Sequence, residues 1–130
     1  MLRIRWTQNK GWSAPKITNF QNFQIHPAAK VLHYAQELFE GMKAFRGVDG
    51  KIRLFRPEQN MSRMTMGAKR ACLPIFDEEE FLQCICNLVQ IDQDWVPNFP
   101  SSSLYIRPTM IGIGNQQSTL MSMGSHKVGY

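Results

Sequence analysis

Long apolar runs are missing from this 130-residue chain. Nothing approaches the roughly 20 consecutive apolar residues that a helix needs to cross a bilayer, so no membrane span is expected. Cysteine is scarce and odd in number: Cys72, Cys84 and Cys86. With no secretory signal pattern ahead of them, no disulfide framework is implied, and reduced thiols in an intracellular compartment are the expectation. Cys84 and Cys86 stand two apart on a predicted helix, which turns them to different faces and argues against a metal or redox pair. Histidine is equally thin, with His26, His33 and His126 scattered along the chain. There is no internal repeat, no Walker-type phosphate loop, no Gly-x-Gly-x-x-Gly and no nucleophile elbow.

Acidic residues are absent before Glu37, whereas Arg3, Arg5, Lys10, Lys16 and Lys30 all precede it, so the formal charge of +5 resides in the first 36 residues. Three sources of such an excess are weighed: a nucleic-acid surface, an Arg-rich presequence, and a solvated sheet edge. The sheet edge is preferred, because basic and aromatic residues do not cluster on one element and because Gly11, Pro15 and Pro27 interrupt any amphipathic helix. Hydrophobic residues make up 43% and charged residues 19%, ordinary globular proportions that bound the chain at one domain. Asn60-Met61-Ser62 forms a glycosylation sequon, which is read as coincidental in an intracellular chain.

The chain's periodicities then sketch its elements. Residues 1 to 30 show no sustained period and read as short strands and loops. Residues 39 to 55 read as two strands joined at Asp49-Gly50, a strong hairpin turn. Pro57 suits the first turn of a helix in which Met61, Met64, Ala68 and Cys72 recur at three- and four-residue steps, with Pro74 expected to end it. Asp77 is placed to cap a second helix, and Glu78, Glu79 and Glu80 lie near the positive end of its dipole. Phe81, Leu82, Ile85, Leu88 and Val89 form its buried stripe. Residues 104 to 113 predict a strand on which Tyr105 and Arg107 share one face, and Pro108 predicts an edge or a bulge because it cannot donate to a ladder. Residues 114 to 130 lack a period and are expected to be poorly ordered. From the residues alone, the reading stops at an intracellular α/β domain with a Tyr-x-Arg face.

Several collinear blocks carry the reading further. Leu32-His33-Tyr34, the stretch Glu37-Leu38-Phe39-Glu40-Gly41-Met42-Lys43-Ala44-Phe45 and the strand Lys51-Ile52-Arg53-Leu54-Phe55 closely resemble branched-chain amino-acid aminotransferases of the animal type. Asn60-Met61-Ser62-Arg63-Met64, Leu73-Pro74-Ile75-Phe76-Asp77, Asp92-Gln93-Asp94-Trp95-Val96-Pro97 and Ser103-Leu104-Tyr105-Ile106-Arg107-Pro108 continue the match in order. The resemblance covers residues 1 to 113 and implies the α+β small domain of fold-type IV aminotransferases: an antiparallel sheet with two packed helices.

That family uses pyridoxal 5'-phosphate, held by a lysine Schiff base, to move an amino group between leucine, isoleucine or valine and 2-oxoglutarate, the cofactor serving as electron sink. By resemblance Arg63 meets the cofactor phosphate, a task suited to a planar guanidinium; a surface helix arginine is the alternative. Tyr34 and Phe39 resemble the aromatic wall of the substrate pocket, though core aromatics would look the same. Tyr105 and Arg107 resemble substrate-binding groups, Arg107 receiving the distal carboxylate of glutamate; a cross-strand salt bridge is the alternative. Lys43 is expected to be structural or solvated. The resemblance also implies a homodimer, or pairing with a full-length relative as a non-enzymatic subunit, in the cytoplasm or the mitochondrion, without nucleic-acid or membrane partners.

The sequence departs from the family in four respects. None of Lys10, Lys16, Lys30, Lys43, Lys51, Lys69 or Lys127 stands in a context matching the Schiff-base lysine, which in the family lies downstream in a larger domain. No catalytic residue is therefore assigned, and this stretch is expected to be inactive by itself. Ser62 stands where aspartate is usual, Thr65-Met66-Gly67 replaces a basic-and-serine stretch beside Arg63, and the family pattern is lost after Ile113.

Overall fold

Alternation along one strand organises the whole sheet. Leu104, Ile106, Pro108 and Met110 are buried on one face, while Tyr105, Arg107 and Thr109 occupy the other and are partly or fully exposed, as the period-2 pattern of a strand requires. The computed structural model describes residues 1 to 114 and 118 to 128. In chain order the elements are β1 (Leu2–Thr7), β2 (Gly11–Trp12), β3 (Lys16–Ile17), α1 (Lys30–Tyr34), β4 (Glu37–Phe39), β5 (Met42–Arg46), β6 (Ile52–Leu54), α2 (Pro57–Arg70), α3 (Glu78–Ile91), a 3-10 turn (Gln93–Trp95), β7 (Ser103–Gly112) and β8 (Ser118–Val128). The strands form one antiparallel sheet in the order β2-β1-β8-β7-β5-β6, with β3 also on β1 and β4 also on β7.

Both long helices cover one face of this sheet. Met61, Met64 and Ala68 of α2 and Phe81, Ile85, Leu88 and Val89 of α3 join Leu2, Ile4, Met42, Leu104, Ile106, Met110, Met121 and Met123 in one core. Each large apolar side chain buried there contributes about 1.5–3 kcal/mol relative to its exposed state. Pro57 opens α2 at its first turn, and the Asp77 carboxylate caps α3 by accepting from the Glu80 amide at 2.9 Å. The Asp49-Gly50 turn joins β5 to β6, with Gly50 at φ 74°, where a side chain would be strained.

Three expectations require correction. Cys72 is not on the buried stripe of α2: the helix stops at Arg70, and Cys72, at φ 53°, lies beyond it and is exposed. The amides of Cys72 and Leu73 turn back to the carbonyls of Lys69 and Ala68 at 3.3 and 2.9 Å, a left-handed cap that ends the helix before Pro74 is reached. Leu73 then takes the core position.

Pro108 is at neither an edge nor a bulge. β7 is interior, and β4 and β5 run past it in one uninterrupted register, Phe39 opposite Thr109 and Met42 opposite Ile106. Opposite Pro108 the Glu40 amide donates to the proline carbonyl at 3.0 Å. The return bond cannot form, because proline has no N–H. The missing donor thus divides the neighbouring strand in two without inserting a residue.

The poor order expected of the chain's last stretch is not found in residues 118 to 128. They form β8, paired with β1 on one side and β7 on the other. From Thr119 to Met123 every residue is buried, so neither sheet face imposes a polar alternation that the sequence could display. Residues 115 to 117 and 129 to 130 lie outside the described residues.

The opposite face of the sheet is only half covered. The segment following β3 crosses it, and Ile25 and Val31 pack on Ile111, Ile113 and Leu120. Arg107, Phe39 and Phe45 remain exposed beyond it.

Two measurements test this account. The amides of residues 120 to 123 should be among the slowest to exchange with deuterium, and rapid exchange there would show that β8 is not interior. Thr65 of α2 is buried, and its Oγ1 has no hydrogen-bond partner among the described residues. Replacing it by the near-isosteric valine should raise stability by roughly 1 kcal/mol in denaturant titration, since the desolvation cost of an unmade hydrogen bond disappears.

Candidate functional site

The divided strand places chemistry on both faces of the sheet at once. Glu40, in step with Met42 and Ala44, points toward the helices, whereas Phe39 and Gly41 belong to the outer face with Tyr105 and Arg107.

On the helix side, Arg63 of α2 grips Glu40 in a two-point pair: Nε donates to Oε1 at 3.0 Å and Nη2 to Oε2 at 2.9 Å. The Arg63 side chain keeps 52% of its exposure and Glu40 only 14%. Asn60, one turn earlier and 7% exposed, donates from Nδ2 to both Glu40 Oε2 at 2.9 Å and the Gly41 carbonyl at 3.0 Å. The sequon asparagine is therefore a buried pin rather than a glycan acceptor. Burial pushes the Glu40 carboxyl upward, but hydrogen bonds from Arg63 and Asn60, together with the charge of Arg63, outweigh it and hold the group below its ordinary range. The Glu40 hydrogen bonds push Arg63 up in turn.

On the outer face, Arg107 lies between two rings. Its guanidinium carbon is 4.5 Å from the centroid of Phe39 and 5.0 Å from that of Tyr105, and Nη2 donates to the Tyr105 hydroxyl at 2.9 Å. Stacking on aromatic faces steadies an otherwise mobile arginine. The Tyr105 ring leans over Gly41: a Cβ there would stand 2.9 Å from Tyr105 Cζ and closer still to its oxygen. Only glycine admits the ring.

A cleft of about 450 Å³ joins the two sides, lined by Tyr105, Gly41, Lys43, Arg56, Asn60 and Arg63 among others. Its lining carries arginines and no carboxylate. Arg56 adopts the left-handed conformation, φ 47°, as it enters α2, and its guanidinium sits 5.2 Å from the centroid of Phe55. The strain of such a non-glycine residue, about 1–2 kcal/mol, is of the kind that gathers at binding sites. The guanidinium of Arg63 has five N–H donors, and Glu40 engages one edge, Nε with Nη2. The other edge suits a second acceptor.

Of the residues singled out from sequence, Phe39, Tyr105 and Arg107 form one contact group, and Arg63 shares a cleft with Tyr105. Tyr34 does not join them through any contact among the described residues: it ends α1, is 80% exposed, and its ring lies 6.4 Å from that of His33. Lys43, read as structural or solvated, stands opposite Tyr105 in the ladder and lines the cleft. Glu40, Gly41 and Arg56 are candidate site residues that the sequence reading does not single out, and Asn60 entered it only as a sequon. Gly41 alone left a hint, as a glycine inside an apolar strand. Among the described residues no group of His, Cys, Asp or Glu could hold a metal, and no helix is long and apolar enough to cross a membrane. Partial burial raises the Cys84 thiol above its ordinary range, with Glu80 adding to it, whereas Cys86 is exposed.

The close fit of Gly41 under Tyr105 has a measurable consequence. Gly41→Ala should lower stability by about 1–3 kcal/mol, as overpacking does, and most of that loss should vanish in a Tyr105→Ala background. Equal penalties in both backgrounds would place the crowding elsewhere.

No family model matches the chain. Curated relatives do. The cytosolic branched-chain-amino-acid aminotransferase of Rattus norvegicus is 63% identical over 113 residues, 87% of this chain and 28% of that protein. The mitochondrial branched-chain-amino-acid aminotransferase of Bos taurus is 56% identical over 112 residues, 86% of this chain and 28% of that protein. The chain thus spans under a third of the length of these relatives. Among solved structures, a branched-chain amino acid aminotransferase from T.th., crystallised with pyridoxamine 5'-phosphate, superposes with a TM-score of 0.64 at 21% identity, covering 98% of this chain and 40% of that one. At that identity it speaks for the fold, including the part that contains β8. With identity to the curated relatives this high along most of its length, and the matching fold, the chain belongs to the branched-chain amino-acid aminotransferase family, corresponding to an amino-terminal portion of its members.

Proposed function

We propose that this chain supplies the phosphate-side and substrate-side wall of a pyridoxal 5'-phosphate-dependent transaminase acting on branched-chain amino acids and 2-oxo acids. One observation carries the reading: a cation for a phosphate, Arg63 on Glu40, and a phenol–guanidinium pair, Tyr105 with Arg107 over Phe39, stand on opposite faces of the short segment 39 to 41. When bound, the cofactor would provide the electron sink for amino-group transfer. The residues here have other duties. Arg63 would hold the phosphate through its uncommitted edge, with Arg56 adding positive potential. Phe39 and the Tyr105 ring would offer apolar surface to a branched side chain, and Arg107, kept charged and oriented between those rings, would take a distal carboxylate.

Outward-facing Tyr34 and the exposed rings of Phe39 and Phe20 suit a surface that meets another protomer or domain. A homodimer, or pairing with a full-length relative, is therefore part of the proposal, and co-elution with an intact aminotransferase would favour the pairing form. Its relatives carry both cytosolic and mitochondrial names, and either compartment fits.

The test uses pyridoxamine 5'-phosphate with the purified chain. Amide shifts should appear at Gly41, Asn60 and Arg63 and disappear in Arg63→Ala. Treatment with pyridoxal 5'-phosphate and borohydride should leave the seven lysines unmodified, and leucine with 2-oxoglutarate should yield no glutamate. Shifts that persist without Arg63 would remove the phosphate assignment, and a trapped pyridoxyl-lysine with turnover would show that these residues include their own reactive amine.

A further inference from the structure

Glu40 has an odd place for a carboxylate. It is nearly buried beside the cleft proposed to receive a phosphate, yet it does not line that cleft. An acid so near an anion site should repel the ligand unless its charge is spent on something else. Here it is spent: Arg63 occupies both carboxylate oxygens, and Asn60 reinforces one of them. The pair also restricts Arg63, whose side chain is otherwise half exposed on a helix surface. With Nε and Nη2 both engaged, the guanidinium plane is fixed and its opposite edge is presented. Asn60 ties the same carboxylate to the Gly41 carbonyl, so the orientation of Arg63 is referenced to the strand that carries Phe39 and Gly41.

We propose that Glu40, braced by Asn60, is a positioning residue that pre-orients Arg63 for a phosphate monoester. This rests on the phosphate reading above, and goes beyond it by assigning an acidic residue a role that favours anion binding. The opposite role, a carboxylate that occupies Arg63 and competes with phosphate, predicts the reverse effect of removing its charge. The sheet decides between them: Glu40 is fixed by the Pro108 carbonyl at its amide and by Asn60 at its side chain, so it is not a mobile plug.

The Nε–H resonance of Arg63 provides a readout independent of activity. In the unliganded chain it should be resolved and slow to exchange. Because the Glu40 carboxyl is held below its ordinary value of 4.5, the clamp is complete above that pH and lost only as pH falls through the lowered value. Compared at one pH above that value, the Arg63 Nε–H should exchange faster in Glu40→Gln than in the unaltered chain. Affinity for pyridoxamine 5'-phosphate should fall roughly tenfold in Glu40→Gln and be partly retained in Glu40→Asp. An averaged Arg63 signal in the unaltered chain, or equal or tighter binding by Glu40→Gln, would overturn the positioning role. Unchanged binding in Arg63→Ala would instead overturn the phosphate reading, so the two failures are distinct.

Discussion

A single missing hydrogen sets the arrangement. Proline at position 108 accepts from the Glu40 amide but cannot return the bond, so the strand beside β7 keeps one of two ladder bonds at Glu40 and continues in the same register at Met42. Register continuity matters more than the break, because an inserted residue would have flipped every side chain beyond it. Instead Phe39 and Gly41 stay on the outer face and Glu40 on the inner one. The Gly41 carbonyl then receives its donor from Asn60 on α2 rather than from another strand. Helix and sheet are coupled at this point by a buried amide, and the candidate site side chains radiate from it.

The two faces of the sheet are built by different physics. Inside, methionines from α2, β5, β7 and β8 meet leucine, isoleucine and phenylalanine; their flexible thioethers fill irregular space between a twisted sheet and two helices. Outside, aromatic rings are left partly uncovered, and the arginine among them is held by ring faces and a phenol rather than by a carboxylate. An Arg107 neutralised by an acid would have lost the charge that the role proposed for it needs. Arg63 is treated in the other way, with one edge committed and one edge presented.

Legibility in the sequence follows the range of the interaction. The Asp49-Gly50 hairpin, Pro57 at the start of α2, the Asp77 cap and the alternation of Tyr105 and Arg107 are local, and each can be read from neighbours in the chain. Cys72 misleads because a left-handed cap in a non-glycine residue leaves no compositional mark. β8 escapes notice because a buried strand rich in serine, methionine and glycine shows no period. Pro108 points falsely to an edge because sequence reports a missing donor but not whether the partner strand can tolerate it. Glu40 is separated from Asn60 and Arg63 by about twenty residues, and nothing local marks those three as a unit.

The charge pattern follows from the same geography. The basic excess of the first 36 residues is carried partly by β1, where Arg3 and Arg5 stand opposite Ser122 and Leu120, on the outer face. These residues are set apart from the cleft beside β5 by β8 and β7, three strand spacings or about 14 Å in the hydrogen-bonding direction. That distance exceeds the Debye length of about 8 Å in physiological salt, so an exposed charge there is largely screened. The terminal excess can therefore add little to the potential at Arg63. The positive potential of the cleft is set locally, by Lys43, Arg56 and the edge of Arg63 that Glu40 leaves open, and a single internal carboxylate governs that edge more than the overall charge of the chain does.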